Sequence, residues 1–414
     1  MWGSIADIYR KDTSCHDLHM FKKSRVYLDY AAATPLRKEV LKAIMPYLEG
    51  VFANASAIHA EGVAARRAVE AARERSARAL QVRPEQITFV SGGTESNNLA
   101  IIGTVEALSC QGRSSADIEV VTTKIEHPSI METMKALEAG GVVVRYVDVD
   151  SEGFVKLESL RSVLSEKTVL FSVAYANSEI GTVQNLHAIK KVLSEVEKKF
   201  GTKISFHVDA AQAPLWLPCQ LDRTYADLLS LDTGKCNGPK AVGLLVRSRR
   251  ATLTPTLFGG GQESGLRPGT ENTAGIVGAS VALELAQKDF KTRAEKVAKV
   301  RDASIAHLLR EMSEVILNGA EGDGRLANNI NISIPGLDTE FATIVLDKHG
   351  FAVSTKSACA GAGGGESVVV KAISGDPARA SSTLRLSLTP ETTLKDIVNL
   401  TTVLKSHLEK MSKY

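Results

Sequence analysis

Two residues able to form covalent bonds stand where the chain could expose them to a ligand. Lys235 comes shortly after the apolar run 228–231, in the sequence Asp-Thr-Gly-Lys, and a lysine held there could act as a nucleophile toward a carbonyl compound. Cys359 lies in a loop of small residues, from which a thiol could reach a substrate and leave again. Lysines after strands are common and most cysteines are buried and inert, so neither residue assigns a function alone.

The segment 91–96, Ser-Gly-Gly-Thr-Glu-Ser, is a candidate anion cradle. It follows the apolar run 86–90 and opens the helical stretch 95–108. Glycines such as Gly93 let a ligand approach the backbone, and the free N–H groups of a first helical turn favour an anion. An ordinary helix cap made by Ser91 or Thr94 explains the same pattern.

Two further strand ends carry polar residues that a buried strand does not need. His127 follows the run 118–123, and Asp209 closes the run 203–210, with Gln212 just beyond it. In a parallel α/β sheet, ligands gather at the carboxyl ends of the strands. A lone histidine is nonetheless more often structural, and Asp209 is explained equally well by a cationic partner or by a helix cap.

These residues are spaced along an alternating pattern of predicted strands and helices. Short apolar runs occur at 86–90, 118–123, 142–149, 168–176, 203–210, 228–231 and 241–247, with helix-period stretches at 60–80, 95–108, 129–138 and 186–200. Continuously apolar strands separated by helices predict an α/β fold with a buried, mostly parallel sheet.

The remaining chain predicts a smaller α+β unit, with strands near 329–334 and 384–388 and a helix over 391–410. A length of 414 residues also exceeds what one ordinary core holds. We therefore predict an N-terminal extension over 1–24, a large domain over 25–285, and a small C-terminal domain over 286–414 that carries the Cys359 loop.

Composition argues against several classes of function. The 50 basic and 47 acidic side chains give a net charge of +3, which provides no electrostatic reason to expect nucleic acid or an anionic membrane as a partner. Five cysteines without a CxxC pair predict neither a disulfide framework nor a zinc site, and they fit a reducing, cytoplasmic setting. No apolar run approaches the roughly 18 residues that span a bilayer.

The first 24 residues contain no apolar stretch of signal-peptide length. Cys15, His16 and His19 are three potential metal ligands in this segment, but such a set in an unanchored tail is more often incidental. We therefore predict no metal site.

Many short segments, taken in chain order, match one known family. They are 27–35 (YLDYAAATP), 54–59 (NASAIH), 91–100 (SGGTESNNLA), 126–127, 177–181 (NSEIG), 207–212 (HVDAAQ), 259–270 (GGGQESGLRPGT), 357–359 (SAC) and 383–385. In these segments the chain resembles the cysteine desulfurases of the NifS/IscS type, which are class V aminotransferase-like, fold-type I enzymes dependent on pyridoxal phosphate (PLP). The resemblance runs from about Val26 to the end and implies a seven-stranded, mostly parallel sheet with a smaller C-terminal domain.

The resemblance implies a role for each polar strand end. Lys235 would bond covalently to PLP and later move the substrate's α-proton, while Asp209 would pair with the ring nitrogen. Gln212 would hydrogen-bond the ring hydroxyl oxygen, and His127 would stack on the ring and assist proton transfer. The phosphate would be held by the helix start at Gly93 and Thr94.

The same resemblance implies how substrate, sulfur and a second subunit enter. Arg385 would bind the carboxylate of L-cysteine, with Asn177 nearby. Cys359 would attack the substrate sulfur as a thiolate, which releases alanine and leaves a persulfide on Cys359 for an acceptor protein. Thr270 would reach the phosphate of the neighbouring subunit, which implies a homodimer with shared active sites. The identity of the acceptor, and whether it serves iron–sulfur cluster assembly, thiolated tRNA or a vitamin, stays open.

The chain departs from the family beside its lysine. The family usually has a serine three residues before the lysine and a histidine directly before it, whereas this chain has Asp232 and Gly234. An aspartate about 4 Å from a phosphate is repelled by roughly 4 kcal/mol per pair of unit charges at an effective dielectric constant of about 20. Two explanations are compatible with this: either Asp232 points away or is protonated and Thr233 supplies the missing hydroxyl, or PLP binds weakly.

Two other functions fit the sequence less fully. One is a related PLP enzyme, such as a selenocysteine lyase, a cysteine sulfinate lyase or a transaminase, which would not need Cys359. The other is a degraded homologue that has lost catalysis and serves as a binding partner. The departures from the family at Asp232 and Gly234 suggest this function.

Overall fold

The computed structural model describes residues 25–355 and 365–411. Its strands are β1 (Val26–Tyr27), β2 (Ile87–Val90), β3 (Glu119–Thr123), β4 (Val143–Val147), β5 (Thr168–Ala174), β6 (Ser205–Asp209), β7 (Leu228–Asp232), β8 (Gly243–Arg247), β9 (Ile316–Leu317), β10 (Asn329–Ser333), β11 (Phe351–Ala352) and β12 (Thr383–Ser387). Its helices are α1 (Lys38–Glu49), α2 (Ala60–Leu80), α3 (Gly93–Ser109), α4 (Pro128–Ala139), α5 (Leu157–Val163), α6 (Leu186–Phe200), α7 (Leu221–Thr224), α8 (Thr273–Lys288), α9 (Phe290–Glu311), α10 (Thr339–Lys348), α11 (Val368–Ser374), α12 (Pro377–Ser381) and α13 (Leu394–Met411).

The largest sheet of the described residues has seven strands in the order β2-β8-β7-β6-β5-β3-β4. Strands β7, β6, β5, β3 and β4 run parallel to one another, and β8 lies antiparallel between β2 and β7. This topology confirms the predicted α/β fold with a mostly parallel, seven-stranded sheet.

Most strands of the sheet are buried on both faces, because side chains at successive positions are shielded from solvent. Strands β2, β3 and β6 are buried at every residue. Since neighbouring side chains on a strand point to opposite faces, Val120 packs against α3 and α4, whereas Val121 joins the cluster formed with α2, α6 and α8. The continuous apolar runs in the sequence reflect this two-sided packing.

The C-terminal part of the chain forms a smaller α+β unit around the antiparallel sheet β12-β10-β9. Its apolar cluster also includes residues from the start of the described chain, such as Leu28 and Tyr30. Strand β1 pairs in parallel with β11, which ties this early segment to the C-terminal unit. The division of the chain at residue 285 stays a prediction.

The parallel strands bring several polar loops to one edge of the sheet. Strands β3, β5, β6 and β7 all end at this edge, and they are followed by the segments 124–129, 175–181, 210–212 and 233–235. None of the described helices combines the length and apolar character needed to cross a membrane.

Candidate active site

A cavity lies at the carboxyl edge of the seven-stranded sheet, where the loops after four parallel strands meet the start of α3. Its lining includes most of the site residues predicted from the sequence: Gly93, Thr94, His127, Asn177, Asp209, Gln212 and Lys235. These residues are separated by up to 142 positions in the chain (235 − 93), and the parallel topology brings them together.

Lys235 ends a short 3-10 turn, Thr233–Lys235, that follows β7 directly. The turn is held from both sides, since Asp232 Oδ1 accepts a hydrogen bond from the Gly234 amide at 2.9 Å and the Thr34 hydroxyl donates to the Gly234 carbonyl at 2.9 Å. The fixed turn presents the half-buried Lys235 side chain to the cavity.

A chain of hydrogen bonds joins the acid of β6 to the histidine of α4. Asn97 Nδ2 donates to Asp209 Oδ2 and to Ser129 Oγ, at 2.9 Å each, and Ser129 Oγ lies 2.8 Å from His127 Nδ1. The other Asp209 oxygen accepts from the Ala211 amide at 2.9 Å. This network fixes the positions of Asp209 and His127 relative to each other.

His127 is a neutral imidazole at the start of α4. Its Nδ1 atom accepts a hydrogen bond from the Ser129 amide at 3.1 Å, so the ring proton resides on Nε2. Burial lowers the pKa of His127, and the positive charge of Lys235 lowers it further. The ring therefore offers an N–H donor rather than a positive charge.

Glu126, beside His127, is a buried acid that lines the same cavity. Burial, together with the negative charge of the nearby Asp209, raises the pKa of Glu126 to about 8. The Thr123 hydroxyl lies 2.6 Å from one carboxyl oxygen, and the Ala174 amide donates to the other at 2.8 Å. Glu126 is thus protonated at neutral pH, and the sequence assigned it no role.

The start of α3 forms the other end of the cavity. Its first residue, Gly93, follows Gly92, which has a φ of +149° and provides no side-chain cap. Asp232 faces this helix start, with Oδ2 3.4 Å from the Gly93 amide. The expectation that Asp232 points away from the cradle is therefore wrong, because its carboxylate is held by backbone amides that border the cavity.

Thr233 does not line the cavity. Its hydroxyl lies 2.8 Å from the Val242 carbonyl and 3.1 Å from the Pro239 carbonyl, in a fully buried position. The alternative in which Thr233 supplies a hydroxyl to the site is wrong for this structure, because that hydroxyl already bonds the loop behind the turn.

Arg385 lies next to the cavity wall rather than in it. One of its nitrogens donates to the Ser178 carbonyl at 3.0 Å, and another donates to Asp29 Oδ1 at 2.8 Å. Its Nε atom is buried without a hydrogen-bond partner among the described residues.

Two amide side chains of the cavity have part of their capacity committed to the backbone. Asn177 donates to the Ile125 carbonyl at 2.8 Å and accepts from the amides of Glu179 and Ile180, so it mainly holds the loop. Gln212 Nε2 donates to the Ala31 carbonyl at 2.9 Å, which leaves one of its N–H groups for a ligand.

The remaining predicted residues lie away from this cavity or outside the described chain. Thr270 is exposed beside a separate cavity that Glu263 and Arg267 also line. Cys359 falls within 356–364 and lies outside the described residues, as do Cys15, His16 and His19.

Both flanks of the segment 356–364 are attached near the cavity. On one side, Ser354 forms a backbone bridge with Arg385. On the other, the Ser367 hydroxyl donates to Glu179 Oε2 at 2.6 Å, and Glu179 lines the cavity.

Across 25–355 and 365–411, no group of three or more His, Cys, Asp and Glu side chains could hold a metal ion.

Several site residues were missed by sequence reasoning. Asn97 lies one helical turn after Gly93, so a helical projection of 93–97 could have placed it on the cavity side. Glu126 and Ser129 flank His127 and were open to the same strand-end argument. Asp29 had no local signal, since its partner Arg385 is 356 residues away.

Comparison with known proteins gives one consistent result. Residues 26–400 match the family model described as Aminotransferase class-V. The chain is 40% identical to the cysteine desulfurase IscS of Dictyoglomus turgidum over 94% of this chain and 96% of the relative. It is 37% identical to the putative cysteine desulfurase IscS 1 of Bacillus subtilis over 88% of this chain and 93% of the relative.

Solved structures show the same similarity. A NifS-like protein superposes with a TM-score of 0.84 at 31% identity, covering 93% of this chain and 99% of that structure. The structure described as SspA in complex with cysteine superposes with a TM-score of 0.74 at 32% identity, covering 88% and 99% of the two chains.

Proposed function

Because this chain belongs to the aminotransferase class V family, in its cysteine desulfurase group, we propose that it converts L-cysteine to L-alanine and keeps the sulfur as a persulfide on Cys359. Membership of this family makes the chain a PLP-dependent enzyme, as the sequence predicted. The observation that carries the proposal is the single cavity lined by Lys235, His127, Asp209 and Gln212. The relatives do not favour the alternatives of a thiol-independent lyase, a transaminase or a degraded homologue.

The side chains of the cavity fit PLP. Asp209 is a buried carboxylate that receives hydrogen bonds from neutral N–H groups and forms no ion pair with a described cationic side chain, so a protonated ring nitrogen would supply the missing positive partner. Gln212 retains one N–H group for the ring hydroxyl oxygen, and the first turn of α3 offers backbone amides to the phosphate. Lys235 would provide the covalent attachment.

PLP, when bound, supplies a ring that takes up the negative charge left when the α-proton of cysteine is removed. Lys235 is the base that moves this proton, and neutral His127 donates from Nε2. Arg385 is the residue that would bind the substrate carboxylate, and Asp29 and the Ser178 carbonyl hold its guanidinium beside the cavity.

The sulfur step belongs to Cys359. Its thiolate attacks the substrate sulfur, a sulfur–sulfur bond forms, and the substrate's carbon–sulfur bond breaks with its electron pair remaining on carbon. That carbon takes a proton to give alanine, and the substrate's sulfur stays on Cys359 as a persulfide. An acceptor protein then receives the sulfur, and a scaffold for iron–sulfur clusters is one such acceptor.

We propose that the enzyme works as a homodimer, with Thr270 of each subunit serving the phosphate site of the other. The exposure of Thr270 outside the cavity of its own chain supports this arrangement. Ile58 and Phe258 are 93% and 90% exposed. They lie close in sequence to residues 55–56 and 261–264, which line one surface cavity. Exposed apolar side chains of this size favour a protein interface. A cytoplasmic location is supported by the odd set of cysteines without a CxxC pair.

Replacing the proposed sulfur acceptor tests the function directly. In Cys359→Ser, formation of alanine from L-cysteine should fall at least a hundredfold and no persulfide should appear by mass spectrometry, because a hydroxyl cannot take up sulfur. The control is Cys110→Ser, which changes an exposed thiol outside the cavity and should retain activity. Full alanine production by Cys359→Ser would instead indicate a thiol-independent lyase.

A further inference from the structure

Asp232 places a negative charge at the part of the cavity where PLP would place its phosphate. Its Oδ2 atom lies 3.4 Å from the amide of Gly93, the first residue of α3, and its Oδ1 atom accepts from the Gly234 amide at 2.9 Å. Asp232, Gly93 and Thr94 all line the cavity. The carboxylate therefore uses the kind of backbone donor that a helix start offers to an anion.

No described cationic side chain forms an ion pair with this carboxylate. The nearest lysines in sequence are Lys235 and Lys240, and the Lys240 amine donates to the Thr34 carbonyl at 2.6 Å instead. Lys235 is the residue proposed to bond with the cofactor, so its nitrogen would be committed to that bond. A phosphate at the start of α3 would thus face an unpaired negative charge.

The neighbouring glycine makes this position of Asp232 achievable. A Cβ atom on Gly234 would lie 3.2 Å from Asp232 Oδ1, which is closer than about nine in ten real Cβ contacts. A larger residue at 234 would therefore press against the carboxylate where it meets the amide. Asp232 and Gly234 form a matched pair that holds an internal anion at the helix start.

We propose that Asp232 acts as an internal competitor of the cofactor phosphate and sets the affinity of this chain for PLP. In the cofactor-free protein, its carboxylate binds the amides that border the cradle. Binding of PLP requires the phosphate to approach this charge or to displace it from the Gly93 amide, which weakens binding of the phosphorylated cofactor specifically. The inference rests on the PLP dependence of the proposed function, but it concerns affinity rather than the reaction.

The test compares two ligands that differ only in the phosphate. Cofactor-free wild type, Asp232→Asn and Asp232→Ser are titrated with PLP and with pyridoxal, and the absorbance of bound ligand and the thermal midpoint of the protein are followed. Removal of the charge should tighten PLP binding by about tenfold to a hundredfold in both variants and change pyridoxal binding by less than threefold. Asp222→Asn, which changes an exposed acid on α7, is the control and should leave both affinities unchanged.

Unchanged or weaker PLP binding in both Asp232 variants would overturn the proposal. Equal changes in the affinities for PLP and pyridoxal would also overturn it, because they would indicate a general effect on the turn that carries Lys235. Failure of the proposed function has a different signature. If the variants bind PLP more tightly but no protein forms alanine from L-cysteine, the role of Asp232 stands and the desulfurase reaction is contradicted.

Discussion

At the scale of single residues, burial governs the protonation of two groups in the cavity. Burial raises the pKa of Glu126 to about 8 and lowers that of His127, so both groups are neutral around pH 7. Their neutrality limits the charge near Asp209 and leaves His127 as a donor through Nε2. Burial of the loop after β3 therefore keeps Glu126 and His127 uncharged next to Asp209.

Glu126→Gln should change how stability depends on pH. The folded pKa of about 8 lies above the ordinary 4.5, so the folded wild type holds one more proton than the unfolded chain between these values, and it loses stability as pH rises through this window. Glutamine does not titrate, and its oxygen can accept from the Ala174 amide while its NH2 group donates to the Thr123 hydroxyl. The free energy of unfolding of the variant, relative to that of wild type, should increase by on the order of a few kcal/mol as pH rises from 5 to 8.

Urea unfolding at pH 5, 6.5 and 8 checks this difference. The control is Glu138→Gln, an exposed acid on α4, the helix that follows Glu126, which should show no such trend. A difference between Glu126→Gln and wild type that does not vary with pH would show that Glu126 is ionised in the folded protein.

Residue types at strand ends predicted much of the ring end of the site but not the contacts between its members. Asp209, His127 and Lys235 were recognisable because a buried strand does not need polar residues at its end. The hydrogen bonds through Asn97 depend on how α3 packs across the strand ends, which no local pattern encodes. Thr233 was misplaced because the direction of its side chain depends on the following loop.

At the scale of elements, the buried acid Glu263 attaches the glycine-rich segment 259–270 to the rest of the fold. Glu263 accepts two hydrogen bonds from the guanidinium of Arg73 on α2, at 2.7 and 2.8 Å, and one from the Phe89 amide of β2 at 2.8 Å. Glu263 itself has a φ of +48°, in the left-handed region. The Glu263 carboxylate thus joins the segment that carries Thr270 to α2 and to the central sheet, and Arg267 of the same segment pairs with Glu95 of α3 at 3.1 Å.

Glu263→Gln should destabilise the protein by about 3–5 kcal/mol, because it leaves the half-buried Arg73 without its bidentate partner. Arg73 also contacts Glu70, whose side chain is largely exposed, and Glu70→Gln should change stability by less than about 1 kcal/mol. Denaturant unfolding of both variants measures the two changes in stability, and the comparison is matched because both acids contact Arg73. Equal effects of the two changes would contradict the role assigned to Glu263.

The principal strands and several helices followed from the sequence, whereas short pairings did not. The apolar runs 142–149 and 203–210 contain β4 and β6, and the helical stretch 60–80 is α2. Strands β1 and β11 have two residues each, which is too short to show a two-residue period, and they pair across more than 300 positions. Their pairing depends on the assembled C-terminal unit.

At the scale of the whole molecule, the start and the end of the described chain meet beside the active site. Leu28 is fully buried in the apolar cluster of the C-terminal unit, and the next residue, Asp29, pairs with Arg385. The proposed substrate clamp is therefore built from both ends of the fold. Correct assembly of the C-terminal unit is a condition for binding substrate.

Charge placed on the proposed dimer surface should separate the subunits and reduce activity. Ile58→Asp combined with Phe258→Asp introduces unpaired carboxylates in place of exposed apolar side chains, and light scattering should show the mass falling from a dimer to a monomer. Activity should fall with it, because Thr270 would no longer reach a neighbouring site. Ile344→Asp, on α10, is the control and should keep the dimeric mass.

A dimeric mass in the double variant, with full activity, would contradict this assignment of the interface. The surface itself was not visible in the sequence, because Ile58 and Phe258 are 200 positions apart and only the fold brings their flanking segments to one cavity.

The account as a whole depends on a covalent bond between Lys235 and PLP, and borohydride reduction measures that bond most directly. Reduction of the PLP-loaded protein followed by peptide mass spectrometry should find the pyridoxyl phosphate group on Lys235. The neighbouring Lys240, whose amine is held by the Thr34 carbonyl, should remain unmodified. A label on Lys240, or no label on any lysine after loading with PLP, would contradict the assignment of this cavity as the active site.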